Sequence, residues 1–388
     1  MAYASDASVT TIAPPGRDAR VDFFRGLALM FIFIDHVKEN ALQYVTMQNF
    51  GFADAAEVFV ALAGYASFLA YTRVFDRQGW WAGLVKIASR ISKLYLAHTL
   101  FLIACVAALI IGTLVFDNPI YQDVLNLEPF FEEPLLALRK ALLLVHQPAM
   151  LDILPLYIVL LVWFPVLLLL MRVHVLVALT ASVALWLGAN LRGWNLPTYP
   201  ENEGWFFNPF AWQLLFSLGV FAAFYAGKRS LPRPSLWLMV PAIGLALFAL
   251  VVAAPWTAIP QLDETTLIPT ETLLGEQSKQ YLSLWRVAHL MVLAYIASSL
   301  IPATAGWLAS PLARRVVDCG RHSLPVFCLG IALAMAGNLA MAEYGEGWTM
   351  QIGVNLIGLV LLLLTGWTLA WLAQARVEAR APDGRLAA

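Results

Sequence analysis

Apolar runs of roughly membrane-spanning length, each closed by polar or charged residues, recur along this chain. They fall at roughly 21–38, 52–75, 84–113, 150–171, 173–190, 205–227, 235–254, 281–301, 320–342 and 350–374. About 20 apolar residues cross the ~30 Å hydrocarbon core as a helix. The pattern predicts an all-α, polytopic integral membrane protein with about ten transmembrane helices. Only Arg172 and His174 interrupt the fourth and fifth runs, which reads as a tight hairpin. The organisation expected is a tail at 1–20, a transmembrane domain at 21–374 and a tail at 375–388. The longer connections lie near 114–149, 191–204 and 255–280, with a short amphipathic helix at 134–147. No internal repeat or soluble domain is evident.

Composition agrees: 61% of the 388 residues are hydrophobic and 13% charged. A net charge of −1 and the lack of a basic tract argue against nucleic-acid binding. Three cysteines make a disulfide framework unexpected. No small-residue cleavage site follows the first apolar run, so it reads as a retained helix. Of the 24 Lys and Arg, eighteen fall in the tails and one set of alternate loops. The positive-inside rule then puts both termini in the cytoplasm. The opposite loops are acidic and rich in Trp, Tyr and Pro, which suits either a sugar or ordinary interfacial residues.

Ionisable groups inside the first apolar run change the picture most. A charge buried in a bilayer costs several kcal/mol, so such groups point to function. Asp22, Arg25, Leu29 and His36 fall on one helical face. His36 is eleven residues beyond Arg25, ~16 Å along the axis, roughly mid-membrane. A neutral-range imidazole is a natural base for a hydroxyl nucleophile. Asp35 and, better placed in space, Glu57 are its candidate carboxylate partners. Equally, Asp22 reads as a helix cap and Arg25 as a snorkelling side chain. Arg20, Arg25, Arg73 and Arg90, among the cations of the first two cytoplasmic segments, are candidates to hold the phosphates of an acyl-CoA. The alternative is topology determination and lipid headgroup contact.

Candidate substrate contacts are Arg286 and His289, one helical turn apart, together with Asp152, Trp212, Gln213, Arg321 and Ser323. Arg286 sits on the cation-poor side. It is expected to meet a substrate carboxylate or a protein acid such as Glu57 or Asp152. Asp152, Asn208-Pro209 and Gly320–Pro325 also read as plain helix starts. The remaining histidines lack metal-ligand spacing, so no metal site is expected.

Three motifs resemble a known family. Asp22-X-X-Arg25 followed by His36 resembles the first-helix signature of the type-three integral-membrane acyltransferases. Glu57–Tyr65 and Cys319–Phe327 resemble their second-helix and late-helix motifs. The wording Arg25-Gly26…Ile34-Asp35-His36, Gly51–Glu57 and Asn208-Pro-Phe-Ala-Trp212-Gln213 is most similar to the OpgC branch. The resemblance implies a multi-pass enzyme of the bacterial inner membrane. It would transfer a succinyl group from a cytoplasmic acyl-CoA, succinyl-CoA, to hydroxyls of a periplasmic glucan. It also places the family's essential histidine on His36 and its basic residue on Arg25. One departure is Glu57, where relatives often carry aspartate. Two other functions stay open at this stage: acetyl transfer to another envelope polysaccharide, and polysaccharide transport or flipping.

Overall fold

The computed structural model describes residues 18–116, 127–228, 235–253 and 278–378. These residues form helices and connections, with no strand among them. The long helices are α1 (Ala19–Asp35), α2 (Ala55–Arg77) and α3 (Trp80–Phe116). Two short ones follow, α4 (Glu128–Glu132) and α5 (Pro134–Leu142). Then come α6 (Ile153–Val173), α7 (Val175–Arg192), α8 (Pro209–Lys228), α9 (Leu236–Ala253) and α10 (Leu284–Leu300). The last three are α11 (Pro311–Arg321), α12 (Ser323–Tyr344) and α13 (Trp348–Glu378). Eight of them are long and apolar enough to cross a membrane, α10 is a shorter apolar helix, and α1 has 17 residues that include ionisable groups. All ten apolar runs are thus helical. The acidic residues Asp117, Asp123, Asp263, Glu264, Glu271 and Glu276 lie outside the described residues.

Two boundaries correct the sequence reading. α1 ends at Asp35, short of the expected boundary near 38, and His36 is its C-cap. Seventeen residues rise only ~25 Å. The ninth apolar run begins at Ser323, and Gly320 and Arg321 close a separate eleven-residue helix, α11. Sequence reading missed α11 because its apolar positions occupy one stripe and never form a long run. Pro134–Leu142 takes up most of the expected amphipathic segment.

α1 lies at the centre of the site, packed on α11, α2 and α12, while α2 packs most extensively on α8. Glycine sets how close these helices come. A Cβ on Gly320 would sit 1.8 Å from the Asp22 carbonyl oxygen, and one on Gly26 2.0 Å from that of Val316. The α2–α8 seam repeats the device, with Gly64 against the Phe216 carbonyl and Gly219 against that of Ala61. Gly320→Ala is therefore expected to push α11 off α1 and to cost at least ~1–3 kcal/mol of stability. Thermal melting in detergent against the parent chain checks this.

Candidate active site

The bundle has two ends. One carries Arg20, Arg25, Arg77, Arg172 and Arg321 and is rich in cations, while the other is poor in them. Each holds a polar cluster, and α1 runs between them.

At the cation-rich end, Asp18 caps α1 and binds Arg20 through Nε and Nη2 at 3.1 and 2.6 Å. Nη1 of Arg20 donates to the Ile301 carbonyl at 2.6 Å. Arg20 thus staples the start of α1 to the end of α10, and three of its nitrogens are committed to protein. Arg25 donates from Nη2 to the Ser323 hydroxyl at 2.6 Å and lies 5.9 Å from the Phe59 ring centroid. The first-helix motif and the late-helix motif therefore meet side chain to side chain. Buried Asp22 lies 3.5 Å from Arg321, which is itself 40% exposed. Arg73 is exposed at the end of α2 and Arg90 is half-buried on α3.

At the cation-poor end stands His36. Its Nδ1 is 2.6 Å from the Ile32 carbonyl oxygen. A carbonyl only accepts, so Nδ1 carries the ring proton and Nε2 keeps its lone pair. His36 as a whole is half-buried. Its main chain is bracketed by Asn338 of α12: Nδ2 donates to the His36 carbonyl at 2.9 Å, and Oδ1 accepts from the Lys38 amide at 2.8 Å. Next to it, Asn40 donates to the Ile34 carbonyl and exchanges hydrogen bonds with Asn355 at 3.1 and 2.9 Å. The chain just past the histidine is fixed by amides from α12 and α13. Asn338 is thus a positioning residue that sequence reading missed. Its signal was an amide side chain inside an apolar run, where polar groups are costly. Asn338→Ala is expected to lower kcat about 10- to 100-fold through misplacement of the imidazole, with acyl-CoA affinity unchanged. Steady-state kinetics and direct ligand binding separate the two.

The two candidate carboxylate partners are occupied elsewhere. Asp35 takes the Thr46 hydroxyl at 2.5 Å and so ties down the turn after α1. Fully buried Glu57 is the third residue of α2. Its Oε2 accepts from the Asp54 amide at 3.0 Å, and Asp54 accepts from the Ala56 amide at 2.8 Å. This capping box is written in the sequence as Asp54-Ala-Ala-Glu57. The other Glu57 oxygen takes Nε of Arg286 at 2.6 Å. Arg286 also reaches Asp54 Oδ2 at 3.1 Å, and Lys279 reaches the same oxygen at 2.6 Å. The carboxylate faces α10, not His36. Of the partners open to Arg286, the structure shows protein acids. Burial works to lower the pKa of Lys279, but the charges of Asp54 and Glu57 outweigh it and raise it.

His289, a turn along α10, accepts the Ala53 amide on Nδ1 at 3.1 Å. Its Nε2 then carries the proton, is buried, and has no hydrogen-bond partner among the described residues. A Cβ on Gly51 would overlap this ring at 2.0 Å, which accounts for glycine there. Trp212 and Gln213 are buried and internally satisfied. The Trp212 indole donates to the Lys279 carbonyl at 3.0 Å, and Gln213 donates to the Ser182 carbonyl at 2.7 Å. Trp186 and Asn190 of α7 bind the Leu282 and Tyr281 carbonyls of the same loop. Trp212 is therefore one clamp on the loop that presents Lys279. Asp152 immediately precedes α6.

A family model described as OpgC protein matches residues 17–374, nearly the whole chain. No curated protein and no solved structure matches it significantly. The match takes in both polar clusters and the ten long helices that carry them, and the chain belongs to the OpgC family of membrane acyltransferases.

Proposed function

We propose that this protein transfers a succinyl group from a cytoplasmic acyl-CoA to a hydroxyl of a periplasmic glucan, across the inner membrane of a Gram-negative bacterium. The observation that carries the reading is the half-buried His36, with Nδ1–H spent on the Ile32 carbonyl, which leaves Nε2 as the acceptor. In the proposed reaction, Nε2 takes the proton of the glucan hydroxyl. The oxygen attacks the thioester carbonyl, the carbon–sulfur bond breaks, and the imidazolium returns its proton to the leaving thiolate. The products are an ester and free coenzyme. The orienting group is a main-chain carbonyl rather than a carboxylate, which fixes the tautomer without adding charge.

Arg25 and Ser323 mark the donor end. Cations there suit the nucleotide phosphates, and the ~16 Å from Arg25 to His36 along α1 suits an extended pantetheine arm. Exposed Arg73 and half-buried Arg90 would add to the attraction. Arg20, bound to Asp18 and Ile301, would act chiefly by holding α1 in place. The excess of cations at this end supports a cytoplasmic position for it. The test is the net charge of periplasmic glucans from a strain lacking the gene. Glucans that lose their negative charge support succinyl transfer. Glucans that keep it while losing neutral acetyl esters point to an acetyl donor, and unchanged glucans contradict the proposal.

A further inference from the structure

The cation-poor end contains a cavity of about 250 Å³, lined among others by Gln48, Gly51, Phe52, Asp54, Val252 and Arg286. We infer that it is a subsite for one sugar ring of the acceptor, and that it binds a neutral polyhydroxyl rather than the acyl carboxylate. The inference deepens the glucan-acceptor reading and rests on it.

Size comes first. The cavity is smaller than the usual 300–1,000 Å³ of a drug-sized pocket. It admits a single ring, not a coenzyme. Charge comes second. Arg286 and Lys279 face Asp54 and Glu57, two cations against two acids, all joined by contacts of 3.1 Å or less. An incoming carboxylate would set three acids against two cations in a buried site, where an uncompensated charge is costly. A hydroxyl adds hydrogen bonds without disturbing that balance.

The lining chemistry comes third. Arg286 binds its acids through Nε and Nη2, and among the described residues Nη1 still has donors to offer. Gln48 is exposed, and its amide supplies both a donor and an acceptor. Asp54 supplies a carboxylate oxygen. Phe52 forms an apolar wall, its ring held at 6.0 Å from His289 and 6.3 Å from Phe248. Planar polar groups beside an aromatic wall are what a pyranose, with hydroxyls at its rim and C–H groups on its faces, requires. Position comes last. Gln48 and Asp54 belong to the segment that leaves His36, within the same polar end of the bundle.

The experiment measures equilibrium binding of a gluco-oligosaccharide, and separately of succinate and succinyl-CoA, to the purified full chain in nanodiscs. Tryptophan fluorescence supplies the signal, since Trp285 lies 6.0 Å from Phe52. The variants are Gln48→Ala, at an exposed position, and Val252→Phe, which puts a larger side chain into the cavity lining. At least a 10-fold weaker oligosaccharide affinity in both, with succinyl-CoA affinity unchanged, is expected. Oligosaccharide binding that is absent in the parent chain, or equal in parent and variants, overturns the subsite. Succinate binding that the variants abolish also overturns it, in favour of an anion site. Failure of the transferase reading itself shows separately, as succinyl-CoA that never loses its acyl group to glucan.

Discussion

A His36→Gln variant should fold, bind acyl-CoA like the parent chain, and acylate glucan about 10²–10⁴-fold more slowly, the usual share of a general base. Glutamine keeps much of the side chain's reach, and its amide is able to donate to the Ile32 carbonyl. It cannot take a proton from a hydroxyl. The substitution therefore separates support of the α1 end from chemistry. Asp35→Asn makes the contrast. It weakens the hydrogen bond from Thr46 but leaves Nε2 untouched, so its rate should stay within about 10-fold of the parent, a smaller loss than removal of a base. Purified variants compared for glucan ester formation, with melting curves as a check on folding, give both values.

The largest stability effect should come from Arg286→Met. Its side chain is 11% exposed, and Glu57 beside it is fully buried. Without the guanidinium, two carboxylates share one ammonium, and Glu57 loses its counter-charge in a buried site. Removing one partner of a buried pair costs about 3–5 kcal/mol. A second substitution, Glu57→Leu, restores one acid to one cation and should recover much of that loss. Lys279→Met should cost less, because Asp54 keeps Arg286 and the lysine side chain is 31% exposed. Thermal unfolding of the four proteins in one detergent ranks them. A single variant as stable as the parent would mean that the pair adds nothing.

The helices were legible because the bilayer demands them: backbone groups in hydrocarbon must be satisfied within the segment, and long apolar runs announce that. α11 escaped this logic, having only one apolar stripe. Arg25 and Ser323 were each visible as motif residues, but their meeting across almost 300 residues was not, since spacing along the chain carries no information about which helices touch. Asp54 and Glu57 show a different failure. Their D-x-x-E spacing is a capping signature, and Glu57 reads from the sequence both as a partner for His36 and as an acid for Arg286. The structure turns it toward Arg286. The orientation of His36 was illegible in principle. Its partner is a main-chain carbonyl one turn back, which leaves no trace in residue types. Asn338, Asn40 and Asn355 were the readable clue that went unused.

The most direct test of the whole account is release of free coenzyme thiol from labelled succinyl-CoA by the purified chain, with and without glucan. The account predicts thiol release that depends on glucan, with the label recovered as glucan ester in equal amount. Movement of glucan across the membrane with no thiol released, or release indifferent to glucan, would contradict it.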